Sequence, residues 1–108
     1  MAPIRWVRAA ARGELRADDV VGVQVDGRAI ALYCVGDEVL ATDDACPHGA
    51  ARLSDGFLID DCIECPLHQG QFDVRTGAPL CPPVDEPIRT YPVRLAGEDV
   101  EVGLPEEA

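Results

Sequence analysis

The chain has 108 residues, 47 % of them hydrophobic, and a formal net charge of −11 from nine arginines, no lysine and 20 acids. A chain of this length holds one small domain with a modest core, which excludes an enzyme built around a deep pocket, and the apolar fraction excludes a disordered chain. So acidic a balance disfavours nucleic acid and anionic membrane as partners, because both reward clustered cations; it suits either a partner with a basic patch or simple solubility of a small protein.

In chain order the periodicity is that of strands. "IRWVRAA", from Ile4, opens the chain. The N-terminal stretch has no apolar run long enough for a signal peptide and nothing later approaches a membrane span, so a cytoplasmic location is expected. A short piece near Glu14 to Asp19 is the one helical candidate. "VVGVQV" and "RAIALYCV" flank Asp26-Gly27, the strongest hairpin signal in the chain, and "EVLAT" follows a second turn at Gly36-Asp37. "FLI", "CIEC", "QFDV", "IRTYPVRL" and "DVEVGL" complete the set, with turns at Asp60-Asp61, Thr76-Gly77 and Gly97-Glu98. Pro79, Pro82, Pro83, Pro87 and Pro92 mark a rigid, irregular return, and Pro92 suggests an edge strand or a bulge. Short strands at such regular spacing predict an all-β fold, an antiparallel sandwich or small barrel, without repeat or linker.

Only five residues are aromatic, so the core must be mostly Val, Ile, Leu and Ala, and a bound cofactor tying loops together would help it. Five cysteines, an odd number in an apparently reducing compartment, read as metal ligands plus core thiols rather than as a disulfide framework. The two histidines each follow a Cys-Pro closely. "ACPHGAARLSDG" carries Cys46 and His48, and "CPLHQG" carries Cys65 and His68, a C-x-H and a C-x-x-H separated by 16 residues. Prolines restrict each loop, and glycines let backbone approach a ligand closely.

Two thiolates and two imidazoles could hold a tetrahedral zinc. Zinc fingers usually group Cys with Cys and His with His, whereas here each loop supplies one of each. That interleaving suits a [2Fe–2S] cluster held between two loops, where each iron needs two ligands beyond its bridging sulfides. Of the other thiols, Cys62 forms a C-x-x-C with Cys65 but has no helix or βαβ context for a redox pair, Cys34 reads as core, and Cys81 falls in the proline-rich return. Asp43, Asp44, Asp55, Glu64 and Asp73 flank the loops and read as solvated turn acids. Trp6 and Tyr91 read as core, and nothing resembles a catalytic triad.

"CPHG", "LSDGFL", "IECPLHQGQFDVRTG" and "PIRTYPV" together resemble the Rieske-type ferredoxins that serve bacterial aromatic-ring-hydroxylating dioxygenases, over most of the chain. The resemblance implies one [2Fe–2S] cluster, with Cys46 and Cys65 on the inner iron and His48 and His68 on the outer one. It implies a single Rieske domain over residues 1–108, with a basal β-sandwich of about 1–43 and 72–108 and a cluster-binding subdomain of about 44–71. It also implies a non-catalytic, monomeric one-electron carrier between a flavin-dependent NAD(P)H ferredoxin reductase and a terminal dioxygenase, of the naphthalene, biphenyl or carbazole type. Exchange of two thiolates for neutral imidazoles puts such clusters at roughly −150 to +300 mV. High-potential relatives carry a disulfide and two hydroxyl donors where this chain has Ala51, Leu67, Gly70 and Phe72, which places it at the low end. The small Rieske-like subunit of a nitrite reductase and a zinc-binding interaction module are the alternatives.

Overall fold

A computed structural model describes residues 3–47, 50–67, 69–81 and 86–105. Among the described residues, eleven strands form three antiparallel sheets. The first sheet has the order β1 (Ile4–Ala11), β11 (Asp99–Pro105), β10 (Val93–Ala96). The second has β2 (Val20–Val25), β3 (Arg28–Val35), β4 (Glu38–Asp43) and β9 (Thr90–Tyr91). The third runs β5 (Phe57–Ile59), β6 (Cys62–Glu64), β7 (Gln71–Asp73), β8 (Pro79–Cys81). The β2–β3 hairpin turns where the sequence places it, with Asp26 at φ 54° and Gly27 at φ 83°, as a primed turn demands.

The second sheet lies in the middle. Alternation along β3 sends Ile30 and Leu32 to one face, where they pack with Ala10, Val102 and Leu104 of the first sheet. Ala31 and Tyr33 go to the other, where they meet Leu53, Ile63, Phe72 and the thiol-bearing residues Cys46 and Cys65. A strand buried on both faces explains the unbroken apolar run "AIALY"; each of its large side chains contributes roughly 1.5–3 kcal/mol of burial. The two cysteines of the paired motif thereby pack against a strand that is buried on both faces.

The structure departs from the sequence expectations in several places. The helical candidate near Glu14–Asp19 is instead a 3-10 turn at Arg12–Glu14, after which Leu15 is extended and Asp18 takes a positive φ of 57°. An unforeseen second 3-10 turn covers Leu53–Asp55. Pro92 lies between two edge strands, as its sequence suggests, but it also breaks "IRTYPVRL" into β9 of the middle sheet and β10 of the first, and its carbonyl accepts from Gly103 N–H at 2.9 Å. The proline-rich return, expected to be irregular, contains β8, which pairs with β7, so the third sheet extends to Cys81. No helix among the described residues is long and apolar enough to cross a membrane.

Candidate metal centre

Two loops of the same span carry the motif. Cys46 donates its backbone N–H to the Ala51 carbonyl at 3.0 Å, and Cys65 donates its N–H to the Gly70 carbonyl at 2.7 Å. Each loop is thus six residues closed on its cysteine, with proline second. The first is rooted by the Ala45–Arg52 bridge. The second connects β6 to β7 and passes through a left-handed residue, Gln69 at φ 58°.

The closures turn both cysteine side chains inward, leaving Cys46 5 % and Cys65 0 % exposed, both in the core cluster of the third sheet. The two sulfurs are direct neighbours. Burial pushes the Cys65 thiol above its usual range, the Leu67 backbone amide aimed at its sulfur pulls it back, and the adjoining Cys46 thiol raises it again. A pair of buried thiols with an amide directed at one sulfur fits a soft metal centre, because thiolate charge needs both a cation and N–H donors. His48 and His68, the other two expected ligands, lie outside the described residues.

The remaining cysteines stay apart from this pair. Strand alternation puts Cys62 on the opposite face of β6 from Cys65, so the C-x-x-C is not a dithiol pair. Cys62 is half-buried, and burial raises its thiol. Cys81 is half-buried too, with Sγ 3.9 Å from the Gln69 carbonyl of the second loop. Cys34, expected in the core, is half-buried at the end of β3 near the Gly36 carbonyl.

Ala51, Leu67, Gly70 and Phe72, singled out in the sequence, lie in or beside the two loops. Phe72 is fully buried beside both cysteines, Ala51 packs against the same cluster, Gly70 is buried at the loop closure, and Leu67 is exposed at the loop tip. None offers a hydroxyl or a thiol. Trp6, expected in the core, is half-buried beneath the Arg94 guanidinium, 4.5 Å from its ring centroid. Tyr91 is core as expected, and its hydroxyl donates to Asp43. Asp44, read as a solvated turn acid, is buried. That residue was illegible in the sequence, since a run of two aspartates before a cysteine gives no sign of which one turns inward.

A profile of the Rieske [2Fe-2S] domain family matches residues 5–92. The ferredoxin component of a naphthalene 1,2-dioxygenase system from Pseudomonas aeruginosa is 54 % identical over 100 residues, covering 93 % of this chain and 96 % of that protein. The structure of a complex of reduced oxygenase and oxidised ferredoxin in carbazole 1,9a-dioxygenase contains a similar chain, with TM-score 0.87 and 36 % identity over 95 % of this chain and 96 % of that one. A putative NADH-dependent nitrite reductase small subunit from Mycobacterium tuberculosis has TM-score 0.83 and 26 % identity over 96 % and 98 % of the two chains.

Proposed function

The chain belongs to the Rieske [2Fe–2S] domain family, and on that basis we propose that it is a one-electron carrier that accepts from a flavin-dependent ferredoxin reductase and delivers to the terminal oxygenase of an aromatic-ring dioxygenase. The observation that carries this reading is the pair of adjoining buried thiols of Cys46 and Cys65, presented by two loops of equal span in a chain 54 % identical to a dioxygenase ferredoxin. Bound there, a [2Fe–2S] cluster supplies reversible uptake of one electron.

The chain's own residues do the rest. Cys46 and Cys65, from the core side, together with His48 and His68 would hold the cluster. The Leu67 amide compensates thiolate charge. Phe72, Ile63 and Leu53 exclude water beneath the thiols. In this reading substrate oxidation belongs to the partner oxygenase. The carrier is monomeric and cytoplasmic in this reading. The lower identity to the nitrite reductase subunit, 26 %, favours the dioxygenase role.

Phe72 and Gly70, where high-potential relatives place hydroxyls, leave the reduced centre without those donors, so the midpoint lies at the low end of the Rieske range. A midpoint near that of the quinol-oxidising proteins would contradict this. The function itself is tested with purified reductase and oxygenase of a naphthalene-type system. The expected result is one electron per chain passed from reductase to oxygenase. Because the carrier's charge is −11, its rate should fall on the order of tenfold as salt rises from about 0.05 to 0.5 M. A holoprotein that the reductase cannot reduce would refute the role.

A further inference from the structure

The first ligand loop is rooted on a buried carboxylate. Asp44 is 2 % exposed and is the one charged side chain buried among the described residues. Four hydrogen bonds fix it. Its N–H donates to the Ala29 carbonyl at 3.1 Å, and its carbonyl accepts from Leu53 N–H at 2.7 Å. Its Oδ1 accepts from Ser54 N–H at 2.7 Å and its Oδ2 from the Ser54 hydroxyl at 2.9 Å. The backbone of Gly22 passes over the pair: a Cβ there would lie 2.6 Å from Ser54 Oγ and 2.9 Å from Asp44 Oδ2.

The carboxylate lies on the same side of the chain as the Cys46 side chain. Ala45 is exposed while Asp44 and Cys46 are buried, so alternation puts both side chains on the core-facing side. Residues two apart on one face of extended chain are separated by roughly 6–7 Å. Burial chiefly raises the Tyr33 phenol, its hydrogen bond with the Thr42 hydroxyl lowers it, and the Asp44 carboxylate adds a smaller rise. Tyr33 belongs to the same cluster as Cys46 and Cys65.

We propose that Asp44 is a positioning residue with an electrostatic role: clamped by Ser54 behind the first ligand loop, its buried charge disfavours the added electron and helps hold the carrier's potential low. A negative charge held two residues from a ligand in a poorly polarisable core destabilises the reduced form, which is one unit more negative than the oxidised form. The clamp alone would not require an acid. An amide in the same place could accept from Ser54 N–H and donate to Ser54 Oγ, so the charge is the feature that hydrogen bonding leaves unexplained.

The proposal rests on the cluster reading above, and its test separates the two. Wild type, Asp44→Asn and Ser54→Ala are loaded, assayed for iron and sulfide, and titrated potentiometrically with dithionite as the one-electron reductant. A wild-type chain that takes up no cluster would remove the cluster reading; comparison among loaded proteins bears on Asp44 alone. Asp44→Asn is expected to load fully and titrate at a more positive midpoint. Ser54→Ala, which loses one donor but keeps the charge, is expected to unfold at lower temperature with a smaller midpoint shift. An Asp44→Asn midpoint equal to wild type overturns the proposal. Should that variant not load, Asp44→Ser serves as the second neutral form, with the same positive shift expected. Loss of the cluster in both makes the carboxylate a structural requirement only, and equally overturns the electrostatic role.

Discussion

Replacing Cys65 with serine is expected to abolish cluster binding, leaving less than about a tenth of the wild-type iron, while Cys62→Ser retains it. The two cysteines are three residues apart, yet β6 turns them to opposite faces. Cys65 is fully buried against Cys46, with the Leu67 amide on its sulfur, whereas Cys62 is half-buried on the outer face. A serine hydroxyl is a harder and far less acidic donor than a thiol, and it would also sit in an apolar core without a second partner. The loss therefore includes stability, since a group bound only by the folded state stabilises it by mass action. Iron and sulfide analysis of both variants decides the matter. Equal iron in Cys65→Ser and wild type would show that Cys65 is not a ligand.

The second large effect falls on the return from β7 to β8. Gly77 has φ 81°, and a Cβ there would lie 2.1 Å from the Ile88 carbonyl oxygen. Ile88 donates its N–H back to the Gly77 carbonyl at 2.9 Å and is a buried member of the cluster that holds the two cysteines. Gly77→Ala must strain the turn or push Ile88 out of that core. The expected cost is roughly 2–4 kcal/mol, combining left-handed strain with overpacking, out of a total stability on the order of 5–15 kcal/mol. Gly97→Ala is the control: it shares a positive φ, 62°, but its Cβ meets nothing within 4 Å, so about 1 kcal/mol is expected. Urea unfolding of the two variants compares them directly. Equal costs would show that contact with Ile88 does not constrain the turn.

The strands and the thiol pair were legible for different reasons. Hairpins depend on local chemistry, and Asp26-Gly27 carries the positive φ values that a primed turn needs, so β2 and β3 follow from the sequence with their register. The Cys46 and Cys65 pairing was legible because two Cys-Pro loops with one histidine each are a spacing that packing alone would not produce. What escaped depends on long-range contact. Pro92 reads locally as a fault in one strand, but its consequence is a change of sheet, which only the partners of β9 and β10 reveal. Pro79–Cys81 reads as irregular because proline is rare in strands; it forms an edge strand, where one missing donor costs little. Asp44 was hidden by its neighbour. Asp43 and Asp44 are the same residue type one position apart, and alternation at the end of β4 turns one toward Tyr91 and the other toward Ser54.

These errors share a direction. Local reading assigned polar and irregular residues near the ligand loops to solvent, whereas the fold uses several of them to fix the loops from behind. Ser54 and Leu53 lie in the unforeseen 3-10 turn, and both bind Asp44 at the root of the first loop. The site is therefore supported more deeply than its motif suggests.

The central claim is that Cys46, His48, Cys65 and His68 hold one [2Fe–2S] cluster that carries a single electron. The most direct measurement is electron paramagnetic resonance of the purified protein after chemical reduction, together with iron, sulfide and zinc analysis of the same sample. The account predicts a coloured protein with two irons and two sulfides per chain and one unpaired electron on reduction. A colourless, diamagnetic protein with stoichiometric zinc would contradict it.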